Sequence, residues 1–233
     1  MARRSGADGE RGERGEVVRA PRRSAVTLPA LRGFGGGSLE PEGDYDGVEF
    51  TDADFGGQRA PGARFLDCAL RRCVFDESAL GGARFIDSLL AEVRGVGTEL
   101  AGATLRDVEV HDARLGGVQL HGAVLERVTV RGGKIDYLNL RGAELRDVVF
   151  EDCVLAEPDF GGARLERVAF LGGALRGADF SGARMTDVDL RSAGPLEIAR
   201  GATGLAGAVI SPGQLLELAP VFAAQLGVRV AAG

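Results

Sequence analysis

Gly62-Ala63-Arg64-Phe65 returns twenty residues later as Gly82-Ala83-Arg84-Phe85, and the Gly-Ala pair returns again at 102–103, 122–123, 142–143, 162–163 and 182–183. A finer period lies inside this one. Every fifth residue from Phe50 to Leu190 is large and apolar at 27 of 29 positions, with Ala60 and Gly95 as the exceptions. Two residues before each of these, 26 of 29 positions hold Ala, Gly, Ser, Thr, Cys or Val; Gln58, Leu138 and Pro158 are the exceptions. A period of five fits neither an amphipathic helix at 3.6 nor a strand at 2.0. Kept this strictly, it demands a short backbone unit that turns after every repeat. Four fives in each twenty give a square coil with one repeat per side, and identical sides of successive coils lie above one another.

The two apolar positions of each repeat have different sizes for a packing reason. Four central Leu or Phe side chains per coil fill the axis, so the inward residue two positions earlier must be small. Burying each central side chain contributes about 1.5–3 kcal/mol. A charge placed there at Leu125, or a ring placed at Ala123, should be incompatible with the coil.

The unit, as in Ala83-Arg84-Phe85 and Ala178-Asp179-Phe180, resembles that of the pentapeptide-repeat family: a small residue, a free position, a central Leu or Phe, then two polar or small residues. The resemblance covers roughly residues 46–192. It implies an all-β fold, a right-handed quadrilateral parallel β-helix, here with a short C-terminal helical cap. It is specific for fold and unspecific for function, since one repeat architecture carries many roles.

The flanks divide the chain further. Residues 1–26, rich in Arg, Gly and Glu, read as a disordered tail, and residues 27–45 as an N-terminal cap, with Leu28, Leu31 and Phe34 laid on the first coil. Residues 46–192 form about seven coils, a rod ~34 Å long at ~4.8 Å per coil. Residues 193–233 form an irregular final coil and a helix. The five-residue pattern fails at Pro195 and Arg200 and returns at Leu205 and Ile210. Ser211-Pro212 is a helix start, and a helix over about 212–226 should be kinked or split at Pro220. This helix either caps the last coil or forms a homodimer contact.

Catalytic and metal constellations do not emerge. Cys68, Cys73 and Cys153 all fall on small inward positions, where cysteine packs as a small hydrophobe. Cys73 and Cys153 share a side four coils apart and are too distant to share a metal. His111 and His121, ten residues apart, lie on opposite sides. The Gly33–Gly37 cluster reads as a linker, and no enzyme activity or cofactor is expected. Three cysteines do not make a disulfide framework, and a reduced cytoplasmic setting fits them. No apolar run is long enough to span a membrane.

The 233 residues carry a formal charge of −6, which disfavours direct nucleic-acid binding. The partner expected is therefore a protein. The best-known activity of the family is binding type II DNA topoisomerases by imitating DNA, so the resemblance implies gyrase or topoisomerase IV as one target, with quinolone tolerance as the outcome. Residues 44–200 hold 27 acidic and 19 basic side chains, a net −8, whereas ~34 Å of duplex carries about 20 negative charges. The side containing Asp107, Arg127, Asp147 and Arg167 is balanced and should form salt-bridge ladders. The next side is the most acidic, with Glu49, Asp52, Glu92, Glu109, Asp112, Glu151, Asp152 and Asp189 against Arg71, Arg72, Arg131 and Arg191. Those eight carboxylates are the candidate partner-binding residues of a DNA mimic. The other reading is a rigid interaction scaffold that uses the small-residue side around Gly82, Gly102 and Gly122.

Overall fold

The computed structural model describes residues 18–231. Its strands pair only in parallel, in one twelve-stranded and one six-stranded sheet. The pairing partners stand twenty residues apart: Phe65 with Phe85, Phe85 with Leu105, and Leu105 with Leu125. This is the quadrilateral β-helix expected from the period. The larger sheet covers two adjacent sides, because strands such as Arg84–Ala91 and Thr104–His111 run through the corner between them. The smaller sheet forms the third side, from Arg94–Val96 to Leu196–Arg200. The fourth side is held by single bridges such as Glu99 to Gln119 and Asn139 to Asp159.

Burial follows the two inward positions. Phe50, Phe65, Leu70, Leu140, Leu175 and Phe180 are fully enclosed, as are the small residues Ala63, Cys68, Cys73, Ala123 and Val128. The corners explain the remaining two positions of the repeat. The residue two after each central side chain from Phe50 to Met185 adopts a left-handed conformation, with φ of 48° at Asp87, 52° at Arg127 and 67° at Gly122. The column Gly62, Gly82, Gly102, Gly122, Gly142, Gly162 and Gly182 is therefore a corner, where glycine takes positive φ without steric cost.

The solenoid is longer than the sequence period suggests. One column runs through Gly33, Glu49, Ala69, Leu89, Glu109, Thr129, Val149, Ala169, Asp189 and Val209, giving about nine turns instead of seven. The N-terminal rung lies outside the repeat pattern, whereas the C-terminal one, Ala208–Val209, keeps the twenty-residue step from Val188 and Asp189. At the N-terminal end Arg32–Gly33 joins the sheet beside Val48–Thr51, and Tyr45 already occupies a central position above Phe65. Phe34 covers this end, its ring 4.6 Å from that of Phe50. Leu28 and Leu31 are only half-buried; Leu39 takes the buried place instead, its N–H donating to Gln58 Oε1 at 2.8 Å.

At the other end the register shifts between Leu175 and Leu196, so Leu196 and Ile198 enter the core in place of Pro195 and Arg200. The helix α1 spans Pro212–Gln225 without a break, although it contains Pro220. Ser211 and Gln214 form a reciprocal capping box. The Gln214 side chain also donates to the carbonyls of Leu190 and Ala193, both at 2.7 Å. With Leu218 enclosed, α1 is fixed as a lid on the last coil.

The expected disorder through residue 26 does not hold for the described part of that tail, residues 18–26. Residues 19–26 lie against the solenoid wall and bond to side chains from Glu109 to Asp187. The first 17 residues of that tail lie outside the described residues.

Candidate functional site

The outward positions carry the chemistry, and the twenty-residue register sets side chains of successive turns side by side. On the balanced side this produces the expected ladders. Arg127 clasps Asp107 with two hydrogen bonds of 2.6 and 2.7 Å, and Arg167 clasps Asp147 at 2.7 and 2.9 Å. Each arginine also pairs with the glutamate before it, Glu126 or Glu166. Asp147 is almost completely enclosed. The Arg167 guanidinium holds its carboxyl below the usual carboxylate range against the opposing effect of burial, and the Arg22 N–H adds to the lowering.

The eight candidate carboxylates fall into two groups. Five have a basic partner across or along the turn, four of them an arginine, and all but Asp52 sit on strands. Glu49 meets Arg71 at 3.0 Å, Asp52 meets Arg72 at 2.6 Å, and Glu109 meets His111 at 3.0 Å. Glu151 meets Arg131 at 2.9 Å, and Asp189 meets Arg191 at 2.7 Å. Asp52 belongs by position to the corner column, with Glu92, Asp112 and Asp152, all at positive φ. Glu92, Asp112 and Asp152 form no ion pair among the described residues, and all three are exposed. The acidic side is therefore a neutralised wall with a narrower acidic edge.

Sequence reasoning missed what covers that wall. The segment 19–26 crosses it from the C-terminal turns towards the N-terminal ones. The Arg19 N–H donates to Asp187 at 3.2 Å and the Arg22 N–H to Asp147 at 3.0 Å. Arg23 reaches Glu151 at 3.1 Å. The Ser24 and Thr129 hydroxyls share a 2.8 Å hydrogen bond, and the Val26 N–H donates to Glu109 at 3.4 Å. Arg23 is the main reason that Glu151 titrates below the ordinary range, with burial opposing it and Arg131 adding to it. Beneath the segment the outward residues Thr129, Val149 and Ala169 are only 4%, 0% and 3% exposed. On the adjacent side the outward Val124 is 40% exposed. A signal existed: an outward row of Thr, Val and Ala where neighbouring rows carry Arg and Glu.

The three thiols are enclosed on inward positions. Burial raises each of them, and Cys153 reaches about 12. Among the described residues no three His, Cys, Asp or Glu gather as a metal site. No helix among them is long and apolar enough to cross a membrane.

Residues 63–140 match a family model described as a pentapeptide repeat region, and residues 138–170 and 171–193 match one described as pentapeptide repeats. No curated protein matches. Among solved structures, a trypsin-treated variant of QnrB1, a plasmid-mediated fluoroquinolone resistance protein, is similar at 20% identity. That match covers 81% of this chain and 100% of the other, with a TM-score of 0.40. HetL, a pentapeptide repeat protein involved in heterocyst differentiation regulation in the cyanobacterium Nostoc sp. strain PCC 7120, is similar at 18% identity. It matches over 74% of this chain and 91% of its own, with a TM-score of 0.31.

Proposed function

The chain belongs to the pentapeptide-repeat family, and from that premise we propose that it is a non-enzymatic, rigid scaffold that binds a protein partner along the solenoid wall. One observation carries this reading. Outward guanidiniums and carboxylates are locked to one another across turns, as in Arg127–Asp107 and Arg167–Asp147, on a wall whose backbone is fully laddered. Side chains held in this way present a grid that loses little further freedom on binding, and preorganisation of that kind favours affinity. Their individual ion pairs contribute little to stability where they are exposed.

The DNA-mimic reading predicts a continuous acidic stripe. Four of the eight candidate carboxylates are matched by Arg, which favours a partner that reads a mixed-charge pattern. Immobilised full-length protein should retain a specific partner from cell extract, and titration into gyrase or topoisomerase IV should leave supercoiling and decatenation unchanged. Retention of nothing but the protein itself defeats the scaffold reading. Saturable inhibition of either topoisomerase at micromolar protein establishes the DNA-mimic alternative.

A further inference from the structure

The segment 19–26 is built like a bound ligand. It is extended, runs across the strands, and has no backbone ladder with the wall. Its N–H groups at Arg19, Arg22 and Val26 are taken up by side-chain carboxylates, and Arg23 is received by Glu151. Its one enclosed side chain, Ser24, bonds to the enclosed Thr129. The floor of Thr129, Val149 and Ala169 would face water if the segment left. Yet the contacts are sparse, and the Arg19 and Arg23 side chains remain 78% and 43% exposed. Segments with few buried apolar contacts open at low free-energy cost.

We propose that this carboxylate-flanked floor is the protein's docking track for an extended, arginine-bearing segment of a partner protein, and that residues 19–26 occupy it in cis until displaced. The features that select such a segment are all on the wall. Asp147, Glu151 and Asp187 accept N–H groups or guanidinium from above, and the small, apolar floor of Thr129, Val149 and Ala169 lies between them. The cis segment itself, Arg19-Ala20-Pro21-Arg22-Arg23-Ser24-Ala25-Val26, shows the composition that fits. A tethered occupant lowers the apparent affinity of a competitor by the fraction of time the track is open. The proposal rests on the scaffold reading for the identity of the wall as a binding surface, but the track can be tested without a partner.

The probe is a fluorescent synthetic peptide of residues 18–31, applied to the full chain and to the full-chain double variant Arg22→Glu/Arg23→Glu, in which the cis segment is released. The released variant should bind the peptide saturably and about ten-fold or more tightly than the unaltered chain. Adding Glu151→Arg to it should abolish binding, and a peptide with its three arginines changed to glutamate should not bind. In the unaltered chain, saturating peptide should speed amide exchange at Arg19, Arg22 and Val26. A folded released variant that binds no peptide, or binding indifferent to Glu151→Arg, overturns the track. If the double variant does not fold, the exchange measurement decides alone: unchanged protection under saturating peptide overturns the proposal. Peptide binding without any retained partner from extract would sink the scaffold reading and leave the track standing.

Discussion

Phe65 and Phe85 stack with their ring centroids 4.7 Å apart and their planes 5° from parallel. The same twenty-residue step stacks Phe150 on Phe170 at 4.9 Å and Phe160 on Phe180 at 5.0 Å. The step sets the distance between turns and the register of every outward pair, so core and surface respond together to changes inside the coil. Phe85→Ala should cost about 3–5 kcal/mol, through lost burial and the void it leaves. Ala123→Phe should also destabilise, through overpacking, since Ala123 is wholly enclosed and the axis beside Leu120 and Leu125 has no room for a ring. Urea unfolding monitored by circular dichroism measures both.

Glycine substitutions should separate conformational cost from collision. At Gly122, with φ of 67°, a Cβ would meet nothing within 4 Å. Gly122→Ala should cost only the left-handed backbone penalty, about 1 kcal/mol. At Gly173 a Cβ would come within 2.0 Å of the Cys153 carbonyl oxygen. Gly173→Ala should cost about 1–3 kcal/mol more. Equal denaturation midpoints for the two variants would contradict the corner assignment.

The ladder pairs should differ according to burial. Arg167→Ala strips the guanidinium from Asp147, whose side chain is 3% exposed, and leaves a nearly buried carboxylate unmatched. The expected loss is about 3 kcal/mol. Arg72→Ala, which frees the exposed Asp52, should barely move the melting temperature.

Acid should loosen the cis segment before it melts the coil. Asp147 and Glu151 both titrate lower in the folded chain than in the open one. Their contribution is complete above the ordinary carboxylate range near pH 4 and fades as pH falls through their lowered values. Amide protection at Arg22 and Val26 should therefore decline below about pH 4, while the protection of Leu125 and Leu145 persists. Loss of both at one pH would make the segment an integral part of the coil.

The three cysteines should be inert until the coil opens. Burial holds every thiol in its protonated form, Cys153 most of all, and only the thiolate attacks. A disulfide reagent at neutral pH should label none of them in native protein and three per chain in denaturant. Rapid native labelling would place them outside the core.

What the sequence determined by itself was the repeat. A side chain on the axis must be apolar, and its inward neighbour must be small, in every turn. The constraint is local and recurs, so five-fold and twenty-fold periods expose the sides, the register and the enclosed cysteines. The balanced ladders were legible for the same reason, because register fixes which outward residues are neighbours. The ends were legible in part: Ser211-Pro212 marked the start of α1, and Phe34 covers the first coil as expected. Arg32–Gly33 joins the sheet without the repeat, and Gln214 anchors α1 through backbone carbonyls that any sequence would supply. The covering of the acidic wall by residues 19–26 was decided only in three dimensions. Ser24 and Thr129 are 105 positions apart and belong to no period. A contact made once, between a segment without secondary structure and a surface row, leaves no repeating constraint on composition, and only the folded chain brings its two halves together.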